Sequence, residues 1–433
     1  MTKTNHTPGR SEALLISILV LMSYGFLSWF SFGPIQSLSG LVGIYLLISL
    51  LVFILFRRAL AGFAPANPSI ILGAIIIKAI GLFTIPFFED DYFRFLLDGC
   101  VFWNNGTPYG ITPQSITDQG NSHPCYGLSL YVNYPDLSTI YPPILQGIFA
   151  LSYAIGPGSL MTLKLIFLLF EICLLILLSY MIPRRWLLLI GWHPVFTLQI
   201  VMNVHPDIVG IVFLTAALFA FNKDKPVTTV MFLAAACVSK IFALLAAPFI
   251  LLRLGMKSMG LFFILILLVY APFIVTGATD LSTLGIFAKE WQFNSSIHFL
   301  LSNLLGENIT RILLLAVFGG IYLFYLIRSF TVSQENYFSW FIFSALWIYG
   351  AFFLLSPVVN AWYLCWLLPF ACMTRQLWPW VWATLSIVTF ITGLNLGSDQ
   401  ISPYEIPGWL IAVEYLAVIG FLVWENRSRL RSP

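Results

Sequence analysis

Apolar runs long enough to cross a bilayer recur along the whole 433-residue chain. Two of the clearest cover residues 13–32 and 258–276. A run of about 20 apolar residues matches the hydrocarbon thickness of a bilayer, and a helix pairs its own backbone polar groups there. Hydrophobic residues make up 59% of the chain and charged residues only 9%, against roughly a quarter in soluble domains. The sequence therefore predicts an all-α polytopic membrane protein.

Cutting the chain at charged and turn residues predicts about 12–14 transmembrane helices. We expect one membrane domain over 1–433, with two amino-terminal spans in 1–68, an outer loop over 89–159 and the remaining spans in 160–433. Its longest polar stretch, 104–142, is too short to fold as a separate domain. The predicted spans are 13–32, 39–56, 69–88, 160–182, 186–202, 208–222, 227–239, 241–252, 258–276, 310–328, 337–355, 362–374, 377–393 and 408–424.

Basic residues are segregated between the loops. With the amino terminus inside, most of the 21 Lys and Arg residues fall in short inner loops, and most of the 18 acidic residues fall in outer segments. Cytoplasmic loops carry such an excess of positive charge. The pattern predicts a multi-pass protein of the cell (inner) membrane, with both termini cytoplasmic and the site on the periplasmic or outer face. A net charge of +3 gives no reason to expect nucleic acid as a partner.

Three acidic residues, Glu89, Asp90 and Asp91, end the apolar stretch 69–88. Carboxylates at this position cost free energy unless they meet water or take part in chemistry. One interpretation is a span end held in the headgroup layer. The other is a general base or a metal pair, placed on the outer side where lipid headgroups are reached.

Two segments of the same loop are predicted to lie in the membrane interface rather than cross it. Residues 92–103 are largely aromatic and aliphatic, but include Arg94 and Asp98 at the i, i+4 spacing of an ion pair. Residues 141–158 are apolar, yet as a span they would reverse every later loop and move the basic pair at 184–185 outside. We therefore expect two interfacial helices in the first large outer loop.

Other polar and aromatic residues fall in predicted outer segments. Each of them alone is compatible with an interface anchor or a hydrogen-bonded polar residue. Together they would form one aqueous face, on which carboxylates activate a hydroxyl, cations hold a phosphate, and aromatic rings stack on sugars. They are His205, Asp207, Lys240, Lys289, Trp291, Asn294, His298, Trp362 and Tyr363.

Two smaller groups of residues complete the pattern. Cys100 and Cys125 lie in the long loop and could form a disulfide in an oxidising compartment, a question that the sequence leaves open. Ionisable residues inside predicted spans are costly and often functional. Of these, Glu171 is interpreted as structural, and its spacing from Lys164 is too long for a direct pair.

Five motifs, in order from residue 85 to about 370, carry a family resemblance. They resemble the GT-C superfamily of membrane glycosyltransferases, especially bacterial polyprenyl-phosphate-mannose-dependent mannosyltransferases. They are also similar, more distantly, to the first mannosyltransferase of GPI assembly, which has Asp-x-Asp where this chain has Glu-Asp-Asp. The motifs are "EDDYFRFLLDG…NGTPYG…YPP", "HPD" at 205–207, "SKIFALLAAPFILLR" at 239–253, "EWQFNSSIHFLL" at 290–301 and "SPVVNAWYLCWLLPF" at 356–370.

The resemblance implies a GT-C fold and inverting transfer of a sugar, with mannose favoured, from a polyprenyl-phosphate donor to a hydroxyl of a glycolipid or glycan. It aligns the catalytic carboxylate with Asp91, and Asp90 is the competitor. No metal and no cofactor are expected, and membrane lipids are the other partners. The donor phosphate would contact Lys240, His298, Lys289 and Arg94. Substrate contacts would come from Glu89, Tyr109, His205, Asp207, Trp291, Asn294, Trp362 and Tyr363.

Two alternatives remain open from the sequence. Another lipid-linked sugar, such as glucose, arabinose or aminoarabinose, could be the group transferred. A transporter or flippase of lipid-linked saccharide is a different class, which predicts functional polar residues near the middle of the bilayer and repeat symmetry between halves. No clear repeat is visible, and the ionisable residues cluster on one predicted face, which favours an enzyme.

Overall fold

The computed structural model describes residues 8–32, 38–60, 65–86, 90–392 and 405–431. Helix accounts for 79% of the structure, and no strand occurs in these ranges. The α-helices are α1 Pro8–Phe30, α2 Leu38–Leu60, α3 Asn67–Leu82, α4 Asp91–Asn105, α5 Pro113–Thr117, α6 Tyr126–Ser129, α7 Pro143–Ile155, α8 Leu160–Ser179, α9 Arg184–Trp192, α10 Pro194–Phe196, α11 Asp207–Asn222, α12 Pro226–Cys237, α13 Ala247–Leu254, α14 Met256–Thr276, α15 Leu281–Glu290, α16 Ile297–Leu305, α17 Glu307–Ser329, α18 Gln334–Leu355, α19 Leu368–Thr374, α20 Trp378–Leu385 and α21 Gly408–Arg431.

Shorter helical turns of other types connect several of these helices. A π-helix, Thr197–Met202, follows α10, and 3-10 helices occupy Gly120–Ser122, Ile241–Leu245, Ala361–Trp366 and Ser386–Phe390. Several predicted spans are therefore not single helices. The span 241–252, for example, is a 3-10 turn followed by α13, because Pro248 removes a backbone donor at the junction.

Eight helical segments in the described ranges are long and apolar enough to cross a membrane, judged by length and composition. The chain is therefore a membrane-embedded helical protein, as the sequence predicts. The predicted total of about 12–14 spans is reached only if shorter apolar helices also cross. Those shorter helices are Asn67–Leu82, Asp207–Asn222, Pro226–Cys237 and Ala361–Thr374, whereas Pro143–Ile155, also short and apolar, is one of the two helices predicted to be interfacial. The eight long segments are Ser11–Phe30, Ser39–Leu60, Leu160–Ser179, Arg184–Met202, Met256–Thr276, Glu307–Ser329, Gln334–Leu355 and Gly408–Arg427.

One of the eight segments lies at the centre of the protein. Arg184–Met202 is 94% buried, whereas only 11% of α14 and 11% of α17 are buried. The central segment packs against α2, α3 and α8. Since α14 and α17 expose apolar side chains over most of their surface, they are the helices best suited to face lipid.

The charged side chains of α3 and α8 inside this core have partners. Lys78 on α3 forms an ion pair with Glu171 on α8, and its Nζ also donates to Thr197 Oγ1 at 3.3 Å. Lys164, two turns before Glu171 on α8, donates to the carbonyl of Thr84 at 2.6 Å. The structural interpretation of Glu171 agrees with this pairing, and Lys164 has a different partner, as its spacing indicates.

The two helices predicted in the first large loop are present as α4 and α7, and they pack directly on each other. Gly99 makes this possible, because a Cβ there would lie 2.3 Å from the carbonyl oxygen of Phe149. Cys100 on α4 forms a disulfide with Cys125. The sequence alone leaves this pairing open. The bond ties α4 to the segment that contains α5 and α6.

The ion pair suggested for Arg94 and Asp98 does not form. Asp98 is buried and accepts a hydrogen bond from Gln146 Nε2 at 3.0 Å. The Arg94 guanidinium instead donates to backbone carbonyls of the loop, including that of Leu137 at 3.1 Å. The helix turns Asp98 toward α7, so tertiary contacts replace the local i, i+4 contact.

Replacing Lys78 by Met is expected to destabilise the protein by about 3–5 kcal/mol, because it leaves Glu171 as an unpaired buried charge. Thermal unfolding of the purified protein, followed by intrinsic fluorescence, measures the change. The double variant Lys78→Met/Glu171→Leu is expected to regain most of the loss, since neither charge remains.

The matched control is Arg58→Met, which breaks an exposed ion pair with Glu12 and is expected to cost no more than about 1 kcal/mol. Equal shifts for Lys78→Met and Arg58→Met would contradict a structural role for the buried pair.

Candidate functional site

Asp90 and Asp91 lie at the start of α4 and line a cavity of about 460 Å³, called here the first cavity. Burial raises the pKa of Asp91 to about 6, and the neighbouring charge of Asp90 adds to this shift. The charges of Lys240 and Arg94 oppose it. A carboxyl with this pKa is ionised at neutral pH yet more basic than an ordinary aspartate, which suits a general base.

Asp90 differs from Asp91 in its hydrogen bonding. Its Oδ1 accepts a hydrogen bond from Asn133 Nδ2 at 2.5 Å. Burial raises the pKa of Asp90, and this hydrogen bond works in the opposite direction. Asp90 is therefore held by the loop, whereas none of the described side chains donates a hydrogen bond to Asp91. The geometry favours Asp91 over Asp90 as the group available to a substrate.

Aromatic and hydrogen-bonding side chains form the rest of the first cavity. Trp291 packs edge to face against Tyr134, with ring centroids 5.0 Å apart. Trp362 lies flat on the ring of His205, with centroids 3.6 Å apart. Such rings offer faces for a sugar ring beside the carboxylates. The polar wall consists of Arg94, Asn133, Ser138, Thr139, Thr283, Glu290, Gln292 and Asn360.

A second cavity, of about 710 Å³, adjoins the first. Its wall is mainly Leu, Ile, Phe, Ala and Gly from the 3-10 helix Ile241–Leu245 and from α15, α17 and α18. The two cavities share four lining residues, which are Ile140, Tyr141, Phe287 and Val358. The few polar side chains of the second cavity are Lys240, Tyr270, Asp280, His298, Arg311, Ser356 and Tyr363.

Lys240 lies at the boundary between the cavities. Its ammonium is 5.7 Å from the ring centre of Tyr141, on the shared wall, and 5.2 Å from that of Tyr363. Asp207 pairs with it at 3.4 Å. The two rings and this carboxylate hold the ammonium at one place on the wall of the second cavity.

Asp207 itself lines neither cavity. It is fully buried, and its Oδ1 accepts from Trp366 Nε1 at 2.8 Å. Gly210, one turn along α11, allows the indole of Trp366 to approach, because a Cβ there would lie 2.6 Å from that ring. Asp207 is predicted from the sequence as a substrate contact, and the structure places it behind Lys240, with which it forms an ion pair.

His298 lines the second cavity beside an ion-pair cluster at the start of α17. Its Nε2 is 3.3 Å from Glu307 Oε1, and burial lowers the pKa of His298. A neutral imidazole here carries one N–H, which can donate either to Glu307 or to a ligand. Arg311 pairs with Glu307 and donates to the backbone carbonyls of Ala288 and Trp291, so it holds the end of α15.

Three residues predicted to contact substrate have structural contacts instead. Asn294 is buried and donates to Glu414 Oε2 on α21 at 3.3 Å, and its own carbonyl accepts from Tyr415. Tyr109 is buried and donates to the carbonyl of Tyr141 at 2.9 Å. His205 lies beneath Trp362 and lines neither cavity.

Two further predicted residues are not brought to the site. Lys289 is exposed in the last turn of α15 and lines neither cavity, because that turn directs it away from both walls. Glu89 lies outside the described residues. The predicted residues that line the cavities are therefore Asp90, Asp91, Arg94, Lys240, Trp291, His298, Trp362 and Tyr363.

Four residues of the site are not among those predicted from the sequence. Tyr141 belongs to the YPP motif at 141–143 and lies on the shared wall. Arg311 was detectable from its i, i+4 spacing to Glu307 at a helix start. Asn133 and Asp280 carry no local signal, since their importance depends on burial beside distant elements.

Within the described ranges, no group of three or more His, Cys, Asp and Glu side chains is arranged to hold a metal ion. The expectation that no metal is needed stays a prediction. Comparison of the chain with protein-family models, with curated proteins and with solved structures finds no match. The function must therefore be argued from the motifs and from this site.

Proposed function

We propose that the protein is an inverting glycosyltransferase of the GT-C type, which moves mannose from a polyprenyl-phosphate donor to a hydroxyl of a glycolipid or glycan. One observation carries the proposal. A polar cavity that contains an unpaired, basic carboxylate, Asp91, shares a wall with an apolar cavity that contains an ammonium, Lys240. A lipid-linked sugar and a hydroxylic acceptor need these two environments side by side.

The second cavity suits the donor. Its apolar wall matches an isoprenoid chain, and it lies among α14, α15, α17 and α18, two of which expose apolar surface over most of their length. Lys240 is a cation of this cavity that lies beside Tyr141 on the shared wall, so the donor phosphate would bind there. His298 is a further hydrogen-bond donor in the same cavity.

The first cavity suits the acceptor. It offers hydrogen-bonding side chains together with Tyr134, Trp291 and Trp362, whose rings can stack on a sugar. An acceptor hydroxyl placed beside Asp91 would face the shared wall formed by Tyr141. This arrangement favours a glycan or the sugar portion of a glycolipid over a purely apolar acceptor.

The reaction uses the two sides of the shared wall. Asp91 accepts the proton of the acceptor hydroxyl, and the oxygen forms a bond to the anomeric carbon of the donor sugar. The bond from that carbon to the phosphate oxygen breaks, and the phosphate leaves with the electron pair. Lys240 stabilises the charge that develops on the phosphate, and Asp207 keeps Lys240 in place. Attack opposite the leaving group inverts the anomeric configuration.

Two observations support an active site on the outer face. The basic residues favour cytoplasmic termini by the positive-inside rule. The disulfide between Cys100 and Cys125 lies in the loop that carries Asp91, and disulfides persist in oxidising compartments such as the periplasm.

The alternatives differ from this proposal in what they require. Donors of glucose, arabinose or aminoarabinose would use the same two cavities, so an assay with each donor decides among them. A saccharide transporter would use polar groups near the middle of the bilayer. The buried pair of Lys78 and Glu171 is such a feature, but it lines neither cavity.

We expect membranes with the wild-type protein to transfer radiolabelled mannose from polyprenyl-phosphate mannose to endogenous acceptors. Asp91→Asn is expected to lose this transfer, because the base is removed. Asp90→Asn is expected to retain part of the activity. Asp136→Asn, an exposed change in the same loop, is the matched control.

Loss of transfer in Asp90→Asn with activity kept in Asp91→Asn would reassign the base. A wild type that transfers no sugar from any of the four donors, combined with accumulation of lipid-linked saccharide on the inner leaflet after gene deletion, would favour the transporter.

The rate is expected to fall as the pH decreases through about 6, because Asp91 must be ionised to accept a proton and its pKa is raised to about 6. From about pH 7 to about pH 5 the ionised fraction, and with it kcat/KM, decreases about tenfold. The donor phosphodiester keeps its charge over this range. A flat pH profile down to about pH 5 would contradict Asp91 as the base.

Binding of farnesyl phosphate, a short mimic of the donor lipid, is expected to weaken by about tenfold or more in Lys240→Met, because a charge-assisted contact is lost. The dissociation constant is measured by fluorescence titration of the purified protein. Lys240→Arg, which keeps the positive charge, should retain binding. Lys289→Met, which changes an exposed lysine, is expected to bind as the wild type does. Weaker binding only in Lys289→Met would contradict this location of the phosphate.

A further inference from the structure

Asp280 is a buried carboxylate in the second cavity that the reaction above does not use. It immediately precedes α15 and is 1% exposed. Its Oδ2 accepts a hydrogen bond from Tyr270 at 3.3 Å, whereas its Oδ1 is buried with no hydrogen-bond partner. Its side chain does not cap α15. One carboxylate oxygen is therefore left for something other than the protein.

The other buried carboxylates near the site have stronger protein partners. Asp207 pairs with Lys240 and accepts from Trp366, and Asp98 accepts from Gln146. Across the described residues, no Lys, Arg or His side chain lies within ion-pair distance of Asp280. A buried carboxylate without such a partner costs free energy, and a hydrogen-bond donor from a ligand would offset that cost.

Asp280 lies close to the shared wall of the two cavities. Asp280 lines the second cavity just before α15 begins. Three residues further on, Thr283 lines the first cavity and its Oγ1 is 2.8 Å from Ser138 Oγ, and Phe287 on the same helix forms part of the shared wall. Asp280 is thus placed on the part of the second cavity that adjoins the first, where the donor headgroup would lie.

Only one part of a polyprenyl-phosphate sugar can satisfy this oxygen. The isoprenoid chain has no hydrogen-bond donor. The phosphate carries a negative charge, which a carboxylate repels, and it binds on the Lys240 side. The sugar alone offers groups that donate hydrogen bonds to a carboxylate, either hydroxyls or a protonated amine.

We propose that Asp280 is a donor-recognition residue, whose free Oδ1 accepts a hydrogen bond from a hydroxyl or a protonated amine of the lipid-linked sugar. Tyr270 orients the carboxylate by donating to the other oxygen. The inference rests on the proposed function for the class of ligand. It goes beyond that function by naming the side chain that distinguishes a lipid phosphate carrying a sugar from a lipid phosphate without one.

The test is a comparison of binding affinities on the purified, full-length protein. Farnesyl phosphate and farnesyl-phosphate mannose are titrated against the wild type and against Asp280→Asn. The wild type is expected to bind the mannosyl lipid about tenfold more tightly than the bare phosphate, and Asp280→Asn should lose most of that preference. Affinity for the bare phosphate should stay unchanged, since Lys240 is intact.

Control variants keep the result interpretable. Tyr270→Phe, which removes the orienting hydrogen bond, is expected to reduce the preference less than Asp280→Asn does. Asp136→Asn, an exposed carboxylate outside both cavities, should leave it at the wild-type value. Thermal unfolding of each variant checks that the fold is retained.

A third ligand, in which an amino sugar replaces mannose, separates the two sources of the hydrogen bond. If the wild type prefers the amino sugar and Asp280→Asn abolishes that preference, the partner is a protonated amine. If both sugars bind equally and both lose affinity in Asp280→Asn, the partner is a hydroxyl. Either result supports Asp280 as the recognition residue.

A folded Asp280→Asn that keeps the wild-type preference for sugar-bearing lipid overturns the inference. That outcome leaves the proposed function intact if sugar transfer is observed. Conversely, a lost preference without any transfer by the wild type would support sugar recognition at Asp280 and reject glycosyl transfer.

Discussion

The cost of leaving a polar group unpaired in apolar surroundings shapes this structure more than any other constraint. Lys78 and Glu171 meet in the core, Lys164 reaches the carbonyl of Thr84, and Glu414 accepts hydrogen bonds from Asn294 and Trp382. Each contact joins elements that are distant in the chain, so the pairs also fix how the helices pack. Against this background, a buried carboxylate that lines a cavity, has no cationic partner and leaves one oxygen unpaired points to a ligand.

Lys240 connects the two cavities because several elements converge on it. Asp207 at the start of α11 supplies the countercharge, and Trp366 holds Asp207 from the opposite side. Tyr141 and Tyr363 place ring faces toward the ammonium. The resulting cation is fixed in position beside an apolar cavity, which is the arrangement that a lipid phosphate requires, while the basic carboxylate Asp91 lies across the shared wall.

The sequence predicted the helical membrane fold because length, hydrophobicity and charge segregation are local properties of the chain. It also predicted Asp91, Lys240 and Trp362 as site residues, and these line the two cavities. It could not distinguish them from polar residues that have protein partners. Asn294 pairs with Glu414, 120 residues away, and no local pattern carries that contact. For the same reason no sequence pattern marks Asp280, because the lack of a partner for its Oδ1 depends on how the surrounding helices pack.

The most direct test is an experimental structure of the Asp91→Asn protein with a non-transferable polyprenyl-phosphate sugar bound. The account predicts the lipid tail in the second cavity, the phosphate on Lys240 and the anomeric carbon at the wall formed by Tyr141, facing residue 91. A donor bound elsewhere, or a phosphate bound by Lys289 on the exposed end of α15, would contradict it.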